Sequence, residues 1–273
     1  MNEKILLIGC GNLGKLLFSN WSKVNYNISI LEKNQRPLHD IKKKFPKTIF
    51  YKSLSELELD KFNIIVLCVK PIDSLKVLKL ISNSIYSKQT IVSLVAGLKI
   101  NEIHQALRKK TDVFRVMPNI FLSVKNSSTA LYSEKSICSS KRYKIDKLFL
   151  NLGKNLWLKK ENEMNFFTAI FGGGPAYFFF FVNILTEISI RKGISPNVAF
   201  DLVMNLLKGT YEYLNINEEK LSTQISKVTS KGGTTEEAIN YFKDKNKLYN
   251  LLYSALNKAE KKSNKISSSL KVK

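Results

Sequence analysis

Short apolar runs alternate with amphipathic stretches through the first half of the chain. The runs KILLIG (4–9), NISILEK (27–33), TIFYK (48–52), FNIIVLCV (62–69), TIVSLVA (90–96) and VFRVM (113–117) read as strands. Between them, NLGKLLFSNWSK, RPLHDIKKKF, SLKVLKLISNSI and INEIHQALRKK carry apolar residues at helical spacing. Strands spaced by amphipathic helices predict a parallel sheet covered on both faces. After STALY (128–132) and a helix near 139–151, NLWLKK adds a further strand, and from about Glu161 the strand signals stop. Helices are then expected over 162–191, with a break at 172–175, and over 196–214, 217–228, 235–244 and 246–262. The pattern divides the chain into an α/β domain, 1–160, and an all-helical domain, 161–273. The closing KKSNKISSSLKVK, from Lys261, lacks a sustained apolar stripe and is expected to fray.

Composition narrows the classes of function. At 44% hydrophobic residues the chain is globular, and its net charge of +22 comes from short clusters scattered between apolar segments. With no single basic face or run, specific nucleic-acid binding is not expected. Cys10, Cys68 and Cys138 are widely spaced and show no metal-ligand pattern, which points to a reducing cytoplasm with neither disulfide nor metal. The chain opens as a strand and not as a signal peptide. The uncharged, intensely apolar stretch 164–186 has the length of a membrane span, but GGGP, Asn165 and Asn183 interrupt it, so a helix buried in a core or subunit interface is expected.

GCGNLG places Gly9, Gly11 and Gly14 directly after a strand and at the opening of a helix. There Gly9 makes the tight turn, Gly11 admits a pyrophosphate to the backbone, and Gly14 lets the helix pack closely. Asn12 and Leu13 complete this dinucleotide turn of a Rossmann-type doubly wound sheet. Glu32, at the end of the second strand, is placed to accept a bond from the ribose 2′-hydroxyl of NAD(H), whereas Lys33, Asn34 and Arg36 suit the 2′-phosphate of NADP(H). Both cofactors stay open, with a lean to NADP(H). Val69, Lys70 and Pro71, and Ala96 and Gly97, follow the fourth and fifth strands, where such sheets line the nicotinamide ribose pocket.

Late in the chain, VTSKGGTT (228–235) sets two adjacent glycines against hydroxyl residues and a helix start. Thr234 and Glu237 have the spacing of a capping box. The backbone at Gly232 and Gly233, the free amides of the helix start, and the hydroxyls of Ser230, Thr234 and Thr235 converge on a small anion, better a carboxylate than a phosphate because only Lys231 is basic there.

With RVMPN (115–119), GGGPAY (172–177), VKP and the N-terminal IGCGNLG, this loop makes the chain resemble the pyrroline-5-carboxylate reductase family along almost its full length. The resemblance implies NAD(P)H-dependent reduction of 1-pyrroline-5-carboxylate to L-proline, the last step of proline biosynthesis. It implies cofactor contact at Asn119, a helix broken beside the substrate ring at Gly173, Gly174 and Pro175, and a homodimer, or a higher assembly of such dimers, in which the loop completes a partner's site. An iminium is already electrophilic, so positioning carries much of the rate, with a hydroxyl or water as proton donor. The chain agrees: His39 and His104 lie away from the motifs, and no Lys or Arg falls between Asn162 and Ile190 for carbonyl chemistry. Departures from the family pattern are Gly173 for a serine, Ile120 and Phe121 for Thr-Pro, Lys231 for a proline and Asn183 for a glutamate. They keep a second reading open, a dinucleotide-binding regulator or scaffold with weakened turnover.

Overall fold

A computed structural model describes residues 3–24, 26–34 and 38–272. In chain order the first elements are β1 (Lys4–Ile8), α1 (Asn12–Trp21), β2 (Asn27–Leu31), α2 (His39–Lys44), β3 (Ile49–Tyr51), β4 (Ile64–Leu67), α3 (Pro71–Ile81), β5 (Thr90–Ser93) and α4 (Ile100–Leu107). Then come β6 (Asp112–Met117), β7 (Ser127–Ser133), α5 (Ser139–Leu150) and β8 (Gly153–Trp157). The strands form one eight-stranded sheet in the order β3-β2-β1-β4-β5-β6-β7-β8. All pairings are parallel except β6 with β7. The strand order reverses direction between β1 and β4, which opens a crevice at their carboxyl ends.

Successive side chains point to opposite faces of the sheet, and the burial follows that rule. Ile5, Leu7, Ile64 and Val66 pack with Leu17, Phe18 and Trp21 of α1 and Leu148 and Phe149 of α5. Leu6, Ile8, Ile65 and Leu67 pack with Leu78 of α3 and Ile103 and Leu107 of α4 on the other face. The central strands β1 and β4 are apolar on both sides because both sides are covered. The Trp21 indole N–H donates to the Leu148 carbonyl at 2.8 Å, fixing α1 to α5. Oε1 of Glu161 accepts from the Ile100 amide at 2.8 Å and from Arg115 Nη1 at 3.1 Å, which ties the start of α4 to β6.

The helices that follow are α6 (Glu163–Phe167), α7 (Gly174–Arg191), α8 (Pro196–Ile216), α9 (Leu221–Lys227), α10 (Thr234–Lys243) and α11 (Lys247–Ser269). The chain forms two compact units, residues 1–175 with 259–273, and residues 176–258. Within the second unit, Ala199 and Val203 of α8 are buried, while Phe178 and Phe180 of α7, Leu202 and Leu206 of α8 and Leu251 of α11 are exposed.

Two sequence expectations are corrected. The helix is not broken at 172–175: a π-helical stretch, Thr168–Gly172, joins α6 to α7, with the Gly173 amide donating to the Thr168 carbonyl at 3.0 Å. Pro175 explains why the ladder shifts. It lacks the N–H that the Phe171 carbonyl would take in a regular helix, and the side chain of Asn119 donates to that carbonyl instead, at 2.9 Å.

The second correction concerns the C-terminal stretch, which does not fray. α11 continues to Ser269, and its residues from 259 onward are part of the first unit. Ser263 and Ser267, one helical turn apart, donate to Oδ1 of buried Asn165 at 2.9 and 3.3 Å, and Asn165 Nδ2 donates to Asn264 Oδ1 at 2.7 Å. Leu270 enters the core on the α3/α4 face, and the Val272 amide donates to Glu102 at 2.9 Å. The serines that read as a solvated tail are the polar half of a docked helix face. Asn165→Ala is expected to lower the free energy of unfolding by about 1–3 kcal/mol, by stranding buried hydroxyls. Urea denaturation at one fixed protein concentration checks this, with the midpoint falling and the slope unchanged.

Candidate active site

The turn between β1 and α1 has no room for side chains. Gly9 has φ +93°, and a Cβ there would stand 2.5 Å from the Cys68 carbonyl oxygen. A Cβ on Gly14 would stand 2.5 Å from the Gly9 carbonyl oxygen, so α1 can start against β1 only if position 14 is glycine. Gly11 is the opposite case: nothing lies within 4 Å of where its Cβ would be. Its amide and those of Asn12 and Leu13, in the first turn of α1, find no acceptor among the described residues, and the turn carries no acidic side chain. Free amides at a helix start beside open space form a seat for a pyrophosphate. The residues present therefore fit a dinucleotide.

Glu32 lies beside this seat. Its amide donates to the Tyr51 carbonyl at 3.1 Å, extending the β2–β3 pairing by one residue. Its carboxylate takes the Cys10 amide on Oε2 and the Asn34 amide on Oε1, both at 2.7 Å. Burial, and then the Glu32 charge, push the Cys10 thiol up to about 12, and burial does the same to Cys68, so neither is a nucleophile at neutral pH. Lys33 and Asn34 are exposed, and Arg36 falls outside the described residues.

The other sequence candidates of the first unit divide into edge residues and structural clamps. Val69 is half-buried, Lys70 is the cap of α3, and Pro71 is its first residue rather than loop. Ala96 packs against the Met117, Met164 and Phe167 cluster. Gly97, with φ +80°, has Ile266 and Ser267 of α11 at 2.9 Å from where a Cβ would stand, so the docked C-terminal helix covers that side of it. Asn119 is buried, and both ends of its amide are engaged: Oδ1 accepts from the Phe121 amide at 3.1 Å, and Nδ2 holds the Phe171 carbonyl. Its backbone amide donates to Ser127 Oγ, which lies 3.1 Å from Thr129 Oγ1. Asn119 thus shapes the stretch that leads into Gly173, Gly174 and Pro175. Sequence reasoning missed Ser127, Thr129 and Asn165; the available signal was small polar residues set among otherwise buried positions.

In the second unit the 230–235 loop closes on itself, with the Gly233 amide donating to the Ser230 carbonyl at 3.0 Å and Gly232 at φ +74°. Thr234 and Thr235 open α10, and their amides find no acceptor among the described residues. The expected capping box of Thr234 and Glu237 does not form. Gly233 is the cap, and Glu236, not Glu237, reaches back to accept from the Gly232 amide at 2.7 Å. A carboxylate of the chain itself already sits on one donor of the loop. His104 is engaged by the Thr111 carbonyl at 2.9 Å, and His39 sits exposed beside Asp40. The described residues contain no cluster able to hold a metal.

Residues 161–266 match the family model for pyrroline-5-carboxylate reductase dimerisation, and residues 4–97 match that for NADP oxidoreductase coenzyme F420-dependent. A pyrroline-5-carboxylate reductase of Aquifex aeolicus is 28% identical over 249 residues, covering 90% of this chain and 91% of the relative. Over its helical part and in its curated relatives the chain is similar to the pyrroline-5-carboxylate reductase family. In fold it is similar to the Plasmodium falciparum pyrroline carboxylate reductase solved with NADP bound, at TM-score 0.85, 24% identity and coverage of 97% and 98% of the two chains. The Coxiella burnetii pyrroline-5-carboxylate reductase is equally near, at TM-score 0.85 and 24% identity over 98% of this chain and 99% of that one.

This similarity also bears on helix Glu163–Arg191, which is long and apolar enough to cross a bilayer by length and composition. It lies within the dimerisation match, and the exposed apolar residues continue onto α8 and α11.

The contrast between the two glycines of the turn is testable. Gly11→Ala is expected to keep the wild-type melting temperature while weakening NAD(P)H binding by about tenfold or more, since its methyl enters ligand space only. Gly14→Ala is expected to lower the melting temperature, because its methyl meets backbone. Thermal melts alongside nucleotide fluorescence titrations check both.

Proposed function

We propose that this chain reduces 1-pyrroline-5-carboxylate to L-proline with NAD(P)H as the reductant, as the last step of proline biosynthesis in the cytoplasm. The observation that carries the reading is the pairing, in one chain, of a dinucleotide turn, within the match to NADP oxidoreductase coenzyme F420-dependent, with a separate loop of donors for a carboxylate, within the match to pyrroline-5-carboxylate reductase dimerisation. When bound, the reduced nicotinamide supplies a hydride to the C=N carbon, and the nitrogen, already protonated, keeps its proton in the product amine.

The chain's residues bind and orient. The amides of Gly11, Asn12 and Leu13 take the pyrophosphate. The amides of Thr234 and Thr235, with the hydroxyls of Ser230, Thr234 and Thr235 and the backbone of Gly232 and Gly233, take the substrate carboxylate. Each such bond to a charged group contributes about 1.5–3 kcal/mol, against about 0.3–1 kcal/mol from the helix dipole, so donor geometry decides affinity. Gly173, Gly174 and Pro175 leave the α6–α7 junction without bulky side chains, as a ring-sized substrate needs. Val69, Lys70, Pro71, Ala96 and Gly97 border the nicotinamide end, and Asn119 acts on it by holding Phe171. No side-chain acid is required, since the iminium is its own electrophile. The working form is a homodimer, or an assembly of dimers, that covers the exposed phenylalanines of α7 and the apolar face of α8.

Incubation with pyrroline-5-carboxylate is expected to consume NAD(P)H and form proline; absence of turnover at high enzyme concentration would indicate a scaffold. Glu236→Ala is expected to lower KM for the imine by about threefold or more, because no side-chain acceptor of the chain then competes for the Gly232 amide. Initial rates against imine concentration read this, and an unchanged or raised KM would remove Glu236 from the account.

A further inference from the structure

We propose that Glu161 is a positioning residue for the nicotinamide: by holding the start of α4 it fixes the turn 94–99, which carries Ala96 and Gly97. The inference rests on the dinucleotide reading of the β1–α1 turn and on the proposed place of Ala96 and Gly97 at the nicotinamide end. It is independent of which imine is reduced.

The two ends of this turn are pinned in different ways. At its start the Leu94 amide donates to the Leu67 carbonyl at 3.0 Å, continuing the pairing of β5 with β4. At its end the chain enters α4 with Lys99 as the cap, and a lysine side chain has no acceptor to offer a helix start. The acceptor comes from 61 residues later in the sequence: Glu161 Oε1 takes the Ile100 amide at 2.8 Å, where the positive end of the helix dipole also favours an anion. Arg115 keeps the carboxylate there. Its Nη1 donates to the same oxygen at 3.1 Å, its side chain is only 3% exposed, and its Nη2 is buried without an acceptor among the described residues. Turning Glu161 away would strand that guanidinium charge out of reach of water. The Glu161 backbone meanwhile opens α6, its carbonyl accepting from the Met164 amide at 3.2 Å. Met164 and Phe167 of α6 are residues against which Ala96 packs, and Ile266 and Ser267 cover Gly97. Glu161 therefore registers the turn at the nicotinamide end against the helix that leads to Gly173, Gly174 and Pro175. A turn fixed before its ligand arrives adds affinity by removing an ordering cost.

The test compares nucleotides with and without the nicotinamide, by calorimetric titration of the purified full chain in the absence of substrate, so that it does not depend on turnover. The probes are NADH against ADP-ribose and NADPH against 2′-phospho-ADP-ribose, and the pair whose dinucleotide binds the wild type more tightly is followed through the variants. The wild type is expected to bind the dinucleotide more tightly than its fragment. Glu161→Ala is expected to weaken the dinucleotide by about fivefold or more and to leave the fragment within about twofold, whereas a merely structural loss would weaken both alike. Glu161→Gln, which keeps an acceptor for the Ile100 amide, is expected to bring the dinucleotide back to within about threefold of wild type. Should Glu161→Ala fail to fold, combining it with Arg115→Met removes the stranded charge and is expected to show the same selective loss. Hydrogen exchange of the unliganded variant is expected to speed up at Ile100 and in the turn 94–99 while β1 stays protected. Equal weakening of dinucleotide and fragment, unchanged dinucleotide affinity or unchanged exchange in the folded alanine or double variant, or a Glu161→Gln protein as weak as Glu161→Ala would each overturn the proposal. A wild type that binds dinucleotide and fragment alike would do the same. Failure of all four nucleotides to bind would instead overturn the dinucleotide reading beneath it.

Discussion

The contact on which the site depends is the approach of Gly14 to the carbonyl of Gly9, where a single methyl group would leave 2.5 Å between a carbon and an oxygen. Because that space is empty, α1 begins immediately beyond β1, and Leu17, Phe18 and Trp21 drop onto the sheet face they fill. The same geometry leaves the amides of Gly11, Asn12 and Leu13 without internal acceptors at the mouth of the crevice between β1 and β4. Packing and function are therefore coupled at one turn. The core can close on α1 only in the arrangement that exposes the donors, and the donors stay aligned because the core holds α1 there.

A similar economy of backbone groups recurs where the first unit meets its last helix. The carbonyl of Phe171, released by Pro175, is claimed by Asn119, while the side chain of Asn165 gathers Ser263, Ser267 and Asn264. The chain thus returns after residue 258 to close the unit that its first 175 residues began, and Ile266 and Ser267 come to rest on Gly97. Leaving any of these buried polar groups unpaired would cost more than the bond itself returns. That asymmetry explains why a serine-rich, lysine-rich segment folds as a docked helix.

The parts legible in the sequence were those written in local chemistry. β1, β4 and β5 are runs of Ile, Leu and Val bounded by turns, and the glycine spacing after β1 has one physical meaning in that context. What was not legible depended on partners distant in sequence. The end of α11 reads as a solvated tail until Asn165, about a hundred residues earlier, supplies acceptor and donor. Asn119 reads as a ligand contact until the unpaired carbonyl of Phe171 is placed against it. At the 230–235 loop the capping pattern pointed to Glu237, but the Gly232–Gly233 turn advanced the helix start by one residue and brought Glu236 onto the Gly232 amide. The acid at the end of β2 was equally visible from sequence, whereas its fixation by Cys10 and Asn34 was not.

The most direct measurement follows the hydride itself. NADH and NADPH each carrying deuterium at both C4 positions of the nicotinamide, incubated with pyrroline-5-carboxylate and this protein, should yield from at least one of the two L-proline with one deuterium at C5. Proline formed without the label, or both labelled nucleotides left unconsumed by folded protein, would contradict the account.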